Sequence, residues 1–191
     1  MKMLEDALQT HVLDSYEKDC KGLHVEFLKF EALKALNNSW TRWQFVQDIE
    51  RPYAHLADPR VAQLWQLYDA QAPSFKWEHP YAEMFDRKGF LQHSIYVATS
   101  EENVASGLWV SDVSVKKRTR SARIHVITSQ AFAGKGIATE LLQWFERDAR
   151  GKYEAITCSW GPRSTRPGIF FAKQGYLVMD RKNCGYATKT L

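Results

Sequence analysis

The sequence predicts an α/β (α+β) fold, a β-sheet packed with helices, because two kinds of segment alternate along its 191 residues. Segments of alternating or β-branched residues have the pattern of strands, and segments whose apolar residues recur every three or four positions have the pattern of helices. The clearest succession is a strand over residues 123–128, a glycine-rich loop and a helix over residues 136–150. Because this length suits one well-buried domain and is short for two, we expect a single domain over residues 1–191.

The part before residue 90 is predicted to be mainly helical. Apolar residues at helical spacing between Leu4 and Leu13 predict an amphipathic N-terminal helix. Pro52 ends a later helix, because proline disfavours the helical conformation in the residue before it. Asp58 is a good N-cap and Pro59 suits the first helical position, so another helix begins there. The predicted elements are a helix over residues 1–19, a strand over 23–30, a helix over 31–49 and a helix from 58 through 68.

From residue 90 the pattern is mainly that of strands. A charged hairpin tip is expected at residues 116–120, and a hairpin turn at residues 183–185 joins the last two strands. Ser164 or Thr165 caps a short helix that has Pro167 in its first turn. The predicted strands cover residues 94–99, 104–115, 123–128, 153–160, 176–180 and 186–190.

The composition is that of an ordinary folded protein, with 45% hydrophobic and 25% charged residues. No apolar run approaches the roughly 20 residues that span a bilayer, and the first residues lack the apolar core of a signal peptide. We therefore expect no membrane contact and a cytoplasmic location. The three cysteines include no CxxC pair, which indicates neither a metal site nor a disulfide framework. The formal charge of +4 permits an acidic partner without requiring one.

The loop before the helix of residues 136–150 has the composition of a phosphate-binding turn. Glycines at positions 134 and 136 let the backbone approach a ligand closely, and the first N–H groups of the helix lie at the positive end of its dipole. Such a turn suits a phosphate or pyrophosphate. Its spacing matches neither the P-loop nor the GxGxxG dinucleotide pattern, and an ordinary strand-to-helix turn is the alternative interpretation.

Two stretches resemble the motifs of one enzyme family. Residues 133–138, Ala-Gly-Lys-Gly-Ile-Ala, are similar to motif A of the GCN5-related N-acetyltransferases, Arg/Gln-x-x-Gly-x-Gly/Ala, with Ala133 in the Arg or Gln position. The stretch from Gly168 to Tyr176 is similar to motif B, a short helix that ends Phe-Tyr-x-x-x-Gly-Phe. The resemblance implies a mixed, mostly antiparallel sheet of six or seven strands, with helices on both faces and a splay between the fourth and fifth strands. It also implies N-terminal helices and an acceptor-side segment over residues 1–90 and an acyl-coenzyme A-binding core over residues 91–191.

The resemblance further implies an N-acyltransferase. Its co-substrate is acetyl-coenzyme A or another acyl-coenzyme A, and its acceptor is an amine of unknown identity that attacks the thioester directly. In the family the loop amides hold the pyrophosphate, and the pantetheine arm adds to the edge of the preceding strand like an extra strand. The implied cofactor-binding residues are Val126, Ile127, Thr128, Ala133, Gly134, Lys135, Gly136, Ile137, Ala138 and Thr139.

The candidate catalytic residues have to accept a proton from the amine and supply one to the thiolate. His125, on the strand before the loop, is the first candidate for the general base, since histidine is the side chain most often used in that role. Asp112, on the preceding strand, is the second, and a water chain is the alternative to both. A hydrogen-bonded structural residue is the alternative interpretation of His125. Phe171 occupies the position of the motif-B tyrosine that often protonates the departing thiolate, so Tyr176 becomes the candidate acid. The alternatives to Tyr176 are Tyr186, Cys184 and water.

Four residues are expected on the acceptor side: Trp77, Tyr81, Arg163 and Arg166. Trp77 and Tyr81 belong to an aromatic-rich segment whose counterpart in the family borders the acceptor pocket; a surface segment pinned by aromatics is the alternative. The two arginines flank the start of the motif-B helix, where they would recognise a carboxylate or phosphate of the acceptor. Solvent-exposed surface arginines are the alternative there.

Two further functions stay open at this point. The basic hairpin tip would contact phosphates of a nucleic acid, in which case the acceptor is an aminoacyl-tRNA amine or an exocyclic base amine. Its residues are Lys116, Lys117, Arg118 and Arg120, and a solvated turn is the alternative. Ala133 and Phe171 permit a coenzyme A-binding module with altered chemistry. The sequence leaves open whether two copies form a homodimer.

Overall fold

The computed structural model describes residues 9–35, 58–71, 90–91, 94–115, 119–161, 166–181 and 184–191, which form nine strands and three α-helices. The strands are β1 (Gln9–Cys20), β2 (Leu23–Ala35), β3 (Phe90–Leu91), β4 (Ser94–Ser100), β5 (Asn103–Val115), β6 (Thr119–Thr128), β7 (Ala155–Trp160), β8 (Leu177–Arg181) and β9 (Cys184–Thr190). The α-helices are α1 (Pro59–Gln71), α2 (Ile137–Ala149) and α3 (Arg166–Lys173), and a 3₁₀ turn covers Gln130–Phe132. None of these helices combines the length and apolarity needed to cross a lipid bilayer.

All nine strands join one sheet, in the order β1-β2-β4-β5-β6-β7-β9-β8, with the two-residue β3 pairing beside this path to β2. Every described pair is antiparallel except β6 with β7. That parallel pairing covers only three positions, from Ser121 opposite Ala155 to Arg123 opposite Thr157. Beyond them the two strands part. The predicted splay is therefore confirmed between the two strands for which it was expected.

Helices cover both faces of the sheet, as predicted. Successive strand residues alternate between faces, so Gly107 and Trp109 share one face and Leu108 lies on the other. Helix α1 packs on the Gly107 face, where Leu64 comes so close that a β-carbon on Gly107 would lie 2.1 Å from its Cδ1 atom. Helix α2 packs on the Leu108 face, where Leu141 of the helix and Leu108 of the strand belong to one buried hydrophobic cluster.

The predicted N-terminal helix over residues 1–19 is wrong for the described residues, because Gln9–Cys20 forms strand β1. Residues of β1 pair antiparallel with β2 in a register that sets Tyr16 opposite Phe27 and Cys20 opposite Leu23. Val12 is 45% exposed, so it is not part of a buried helical stripe. Strand pairing with a distant partner outweighed the local helical spacing.

Smaller corrections concern the ends of elements. Residues 31–35 extend β2 instead of beginning a helix, and the rest of that predicted helix lies outside the described residues. Strand β6 begins at Thr119, so Arg120 is part of the sheet and not of the hairpin tip. Cys184 and Gly185 belong to β9, where Gly185 pairs with Trp160 instead of forming a turn. Strands β1 and β3 raise the count above the expected six or seven.

Candidate functional site

A cleft of about 140 Å³ opens where β6 and β7 part. Residues of both strands line it directly after their last paired positions, and side chains of α1 and α3 reach it from the two faces of the sheet. Its described lining consists of Tyr68, Trp109, Ile124, His125, Val126, Cys158, Ser159, Trp160, Gly161, Pro167 and Phe171. The cleft thus reaches both faces of the sheet.

On the α1 face the cleft is bordered by stacked rings. His125 is half-buried and lies parallel to Trp109, its cross-strand partner, with 4.9 Å between ring centroids and 5° between planes. Tyr68 of α1 meets the same indole edge-on at 5.2 Å. The Trp109 indole is 1% exposed, so it is held in place by the core and fixes the orientation of the His125 imidazole ring.

On the opposite face Trp160, at the end of β7, forms the wall of the cleft. Its indole stacks on Phe171 of α3 at 5.9 Å with 12° between the ring planes. The same indole covers Gly185 of β9, where a β-carbon would lie 2.0 Å from the indole Nε1 atom. Only glycine leaves room for the ring at this position in the sheet.

Cys158, also in the cleft, is not suited to act as a nucleophile. Its side chain is buried, and burial raises the pKa of the thiol to about 12. The reactive species of cysteine is the thiolate, so at neutral pH this sulfur stays protonated.

We expect iodoacetamide at pH 8 to alkylate Cys184 in the folded protein while leaving Cys158 and Cys20 unmodified. Cys184 is partly exposed, whereas burial raises the pKa of both other thiols. Peptide mass spectrometry after a timed reaction measures each site separately. The same reaction in urea is the control and labels all three residues. Rapid alkylation of Cys158 in the folded protein would show that its thiol is neither buried nor kept protonated.

The glycine loop continues from the end of β6 into helix α2. Gly134 and Gly136 have φ values of +76° and +87°, the left-handed region in which glycine carries no penalty. Gly136 is the N-cap of α2, and its carbonyl accepts the hydrogen bond of Glu140 N–H at 3.1 Å. The amides of residues 137–139 precede that bond and have no backbone acceptor among the described residues. They form the positive end of α2, the arrangement that binds phosphate groups.

The edge of β6 beside the cleft is also open to pairing before Thr128, whose carbonyl accepts a hydrogen bond from Gln71 Nε2 at 3.0 Å. Beyond Arg123 no described strand pairs with this edge of β6, whereas β5 pairs with the other edge as far as Thr128. An unpaired edge presents a row of N–H and C=O groups to any extended ligand. Strand β6 is followed by the 3₁₀ turn and then by the loop, so a path along this edge leads from the cleft toward the amides of α2.

The structure brings only some of the predicted residues together. His125 and Val126 line the cleft, and residues 133–139 form the loop. Asp112 pairs with Ala122, three positions along the strand from the Trp109–His125 pair. Arg166 is the exposed first residue of α3. Trp77, Tyr81, Arg163, Lys116, Lys117 and Arg118 lie outside the described residues; Arg120 is exposed.

Tyr176 is not in the described lining of the cleft, but its ring meets Phe171 of that lining edge-on at 5.1 Å. Burial and the nearby Glu146 carboxylate raise the pKa of its hydroxyl, which therefore keeps its proton. Lys189 lies 5.3 Å above its ring and also pairs with Glu146 at 2.7 Å. These contacts direct Tyr176 toward α2, and its role as the acid stays a prediction.

Sequence reasoning did not identify Tyr68, Trp109 and Trp160 as site residues. Trp160 stands directly before the Gly-Pro pair that ends its strand, the one local signal that was present. Tyr68 and Trp109 carry no such signal. Their place follows only from the packing of α1 on β5.

The chain matches the family model described as "Acetyltransferase (GNAT) family" over residues 63–176, more than half of its length. No curated protein sequence is significantly similar to it. Many solved structures share the fold, and three of them serve as examples. The GNAT domain of S. lividans PAT aligns over 93% of this chain and 97% of its own, with 14% identity and a TM-score of 0.56. The NatC complex bound to Gag peptide and CoA aligns over 86% and 98%, with 13% identity and a TM-score of 0.56. Arabidopsis thaliana Naa50 in complex with the bisubstrate analogue CoA-Ac-MVNAL aligns over 71% and 95%, with 16% identity and a TM-score of 0.53.

Proposed function

Since the chain belongs to the acetyltransferase (GNAT) family, we propose that it transfers an acetyl or other acyl group from acyl-coenzyme A to an amine. Acyl-coenzyme A is the co-substrate that follows from membership of this family. The observation that carries the proposal is the cleft between β6 and β7, which is lined by the strand that leads into the glycine loop at the start of α2. One co-substrate with an anionic end and an extended arm fits both features.

In the proposed complex the pyrophosphate lies in the loop of residues 133–139, on the amides of residues 137–139. The pantetheine arm runs along the unpaired edge of β6 at residues 126–128 and places the thioester in the cleft. Support for this placement comes from the left-handed glycines of the loop and from the short β6–β7 pairing. A phosphate at a helix N-terminus and a strand-like arm at a sheet edge are both common modes of recognition.

Direct attack by the amine is the route we propose. The amine nitrogen forms the new C–N bond, the C–S bond breaks, and the proton lost by nitrogen balances the one gained by the sulfur of coenzyme A. Transfer through an acylated cysteine is disfavoured at Cys158, whose thiol is protonated at neutral pH. Positioning of the two reactants then supplies much of the rate.

His125 is our candidate for the group that accepts the amine proton. Its ring lines the cleft and is held in orientation by Trp109, as a general base has to be. The rings of Tyr68 and Trp109 form most of the remaining described lining on this face, beside the Ser159 hydroxyl. An acceptor that carries an apolar group beside its amine therefore fits the cleft best.

Peptide amines are the acceptor class to test first. The Naa50 structure holds a bisubstrate analogue that ends in MVNAL, and the NatC complex holds a Gag peptide. We expect mass spectrometry to detect acetylation when the protein, acetyl-coenzyme A and a panel of amines are mixed. The panel comprises peptides with apolar or polar first residues, small amines and aminoacyl-tRNA. Absence of acyl transfer to every amine, with acetyl-coenzyme A bound, would contradict the proposed reaction.

Replacing His125 with phenylalanine is expected to lower kcat by about 100- to 1,000-fold, the contribution typical of a general base. Phenylalanine keeps a flat ring against Trp109 but cannot accept a proton. The affinity for acetyl-coenzyme A is expected to stay unchanged. Steady-state kinetics with the best acceptor and calorimetric titration measure the two quantities. His24→Phe, at an exposed position, is the matched control. An unchanged kcat in His125→Phe would exclude His125 as the base.

A further inference from the structure

The turn between β1 and β2 contacts the glycine loop, although more than one hundred residues separate the two in sequence. Lys21, at the tip of this turn, donates a hydrogen bond from Nζ to the Gly134 carbonyl oxygen at 2.7 Å. The loop is the segment whose amides we assign to the pyrophosphate. A positive charge from the N-terminal hairpin therefore lies beside the proposed anion site.

The hairpin is fixed to helix α2 by contacts that include its first turn. Lys18 forms an ion pair with Glu140, and the Tyr16 hydroxyl donates to the same carboxylate at 3.3 Å. The Tyr16 ring stacks on Phe27 and meets Trp144 edge-on, with centroid distances of 4.8 and 4.9 Å. Because Lys18 balances the charge of Glu140, the carboxylate does not cancel the positive end of the helix.

The turn itself has a defined conformation. Lys21 and Gly22 have φ values of +54° and +83°, as in the two-residue turns that match the twist of a hairpin. The Asp19 carboxylate accepts a hydrogen bond from Gly22 N–H at 2.8 Å. The backbone conformation of the turn and the Asp19 hydrogen bond thus keep Lys21 at the tip of the hairpin.

We propose that Lys21 binds a phosphate group of acyl-coenzyme A. Ala133 stands where motif A has Arg or Gln, so the loop itself lacks that polar side chain. An ammonium group has three N–H donors, and the bond to Gly134 uses one. Together with Lys135, Lys21 gives this end of the path two lysine charges to face the phosphates. The inference rests on the proposed function, because it requires that site to bind acyl-coenzyme A.

The test is calorimetric titration of the wild type and of Lys21→Asn. Asparagine tolerates a positive φ, so the turn is retained while the charge is removed. We expect the dissociation constant of acetyl-coenzyme A to rise about tenfold at low salt, as for a lost charged hydrogen bond, and by less at higher salt. Lys21→Arg is expected to restore the affinity. Lys152→Asn, in the exposed turn about 20 Å away beyond the far end of α2, is the matched control and is expected to change nothing.

Two shorter probes identify the phosphate. Dephospho-coenzyme A keeps the pyrophosphate but lacks the 3′-phosphate, and S-acetylpantetheine lacks both. An effect of Lys21→Asn that persists with dephospho-coenzyme A assigns Lys21 to the pyrophosphate, and one that disappears assigns it to the 3′-phosphate. Equal affinities of Lys21→Asn and wild type for acetyl-coenzyme A would overturn the inference alone, as would an equal loss with S-acetylpantetheine. Absence of binding to the wild type would overturn the proposed function as well.

Discussion

Replacing Gly136 with glutamate is expected to abolish the stabilisation of the protein by acetyl-coenzyme A. Ligand at 100 times its dissociation constant stabilises the folded wild type by about 2.7 kcal/mol. For a domain of this size each kcal/mol raises Tm by about 2–4 °C, so the wild type is expected to shift by about 5–10 °C. In Gly136→Glu a carboxylate occupies the proposed place of the pyrophosphate, next to the first amides of α2. A thermal-shift titration measures the difference.

Gly151→Glu is a closely matched control. Gly136 and Gly151 have φ values of +87° and +76°, and a β-carbon on either would meet no heavy atom within 4 Å. Both substitutions therefore place the same charge on a left-handed residue, at a cost of about 1–2 kcal/mol in the absence of ligand. Only Gly136 belongs to the loop, so only Gly136→Glu is expected to lose the ligand-induced shift. Equal shifts in both variants would move the phosphate site away from this loop.

The glycine loop was predictable from sequence because the information that defines it is local. A β-branched strand, two closely spaced glycines and a helical apolar stripe stand in order within about thirty residues. The structure places the helix at Ile137–Ala149 and both glycines in the left-handed region. The same locality explains why α1 begins at Pro59, where the N-cap and proline signals stand side by side.

The N-terminal strand was not predictable in the same way. Between Gln9 and Cys20 the spacing of the apolar residues fits a helix as well as a strand. Pairing with β2 is what makes this segment a strand. Tyr16 stacks on Phe27 across the pair, which is a contact between elements rather than a property of either one. That error also concealed Lys21, because a turn contacting the glycine loop exists only if β1 is a strand.

The residues that line the cleft could also be predicted only in part. His125 was identified because it stands on the strand that leads into the loop. Tyr68, Trp109 and Trp160 come from α1, β5 and β7, and nothing in their own neighbourhoods marks them as lining residues. They come together because β6 and β7 share only three paired positions before they part. Pairing length depends on long-range geometry, which a single sequence does not show.

Gly185→Ala is expected to destabilise the protein by about 1–3 kcal/mol, the usual cost of overpacking a buried site. An alanine β-carbon would lie 2.0 Å from Nε1 of Trp160 and 2.1 Å from its Cε2, so the indole has to move. Phe171 stacks on the Trp160 ring, and a β-carbon on Gly168 would lie only 3.3 Å from Cζ2 of Trp160. The indole therefore has no room to move toward α3. The open direction is the cleft. Denaturation by urea measures the loss of stability.

The displaced indole is also expected to weaken acetyl-coenzyme A binding, because it enters the space proposed for the thioester. Trp160→Leu removes the obstacle, so Gly185→Ala on that background is expected to cost at least about 1 kcal/mol less than alone, a coupling typical of residues in contact. Gly168→Ala is the graded comparison, with a tight contact that needs only a small adjustment. If Gly185→Ala cost as much in the Trp160→Leu background as in the wild type, the indole would not be what requires glycine at position 185. If it destabilised the fold without altering ligand affinity, the ring would have moved away from the cleft, and the thioester would need another place along β6.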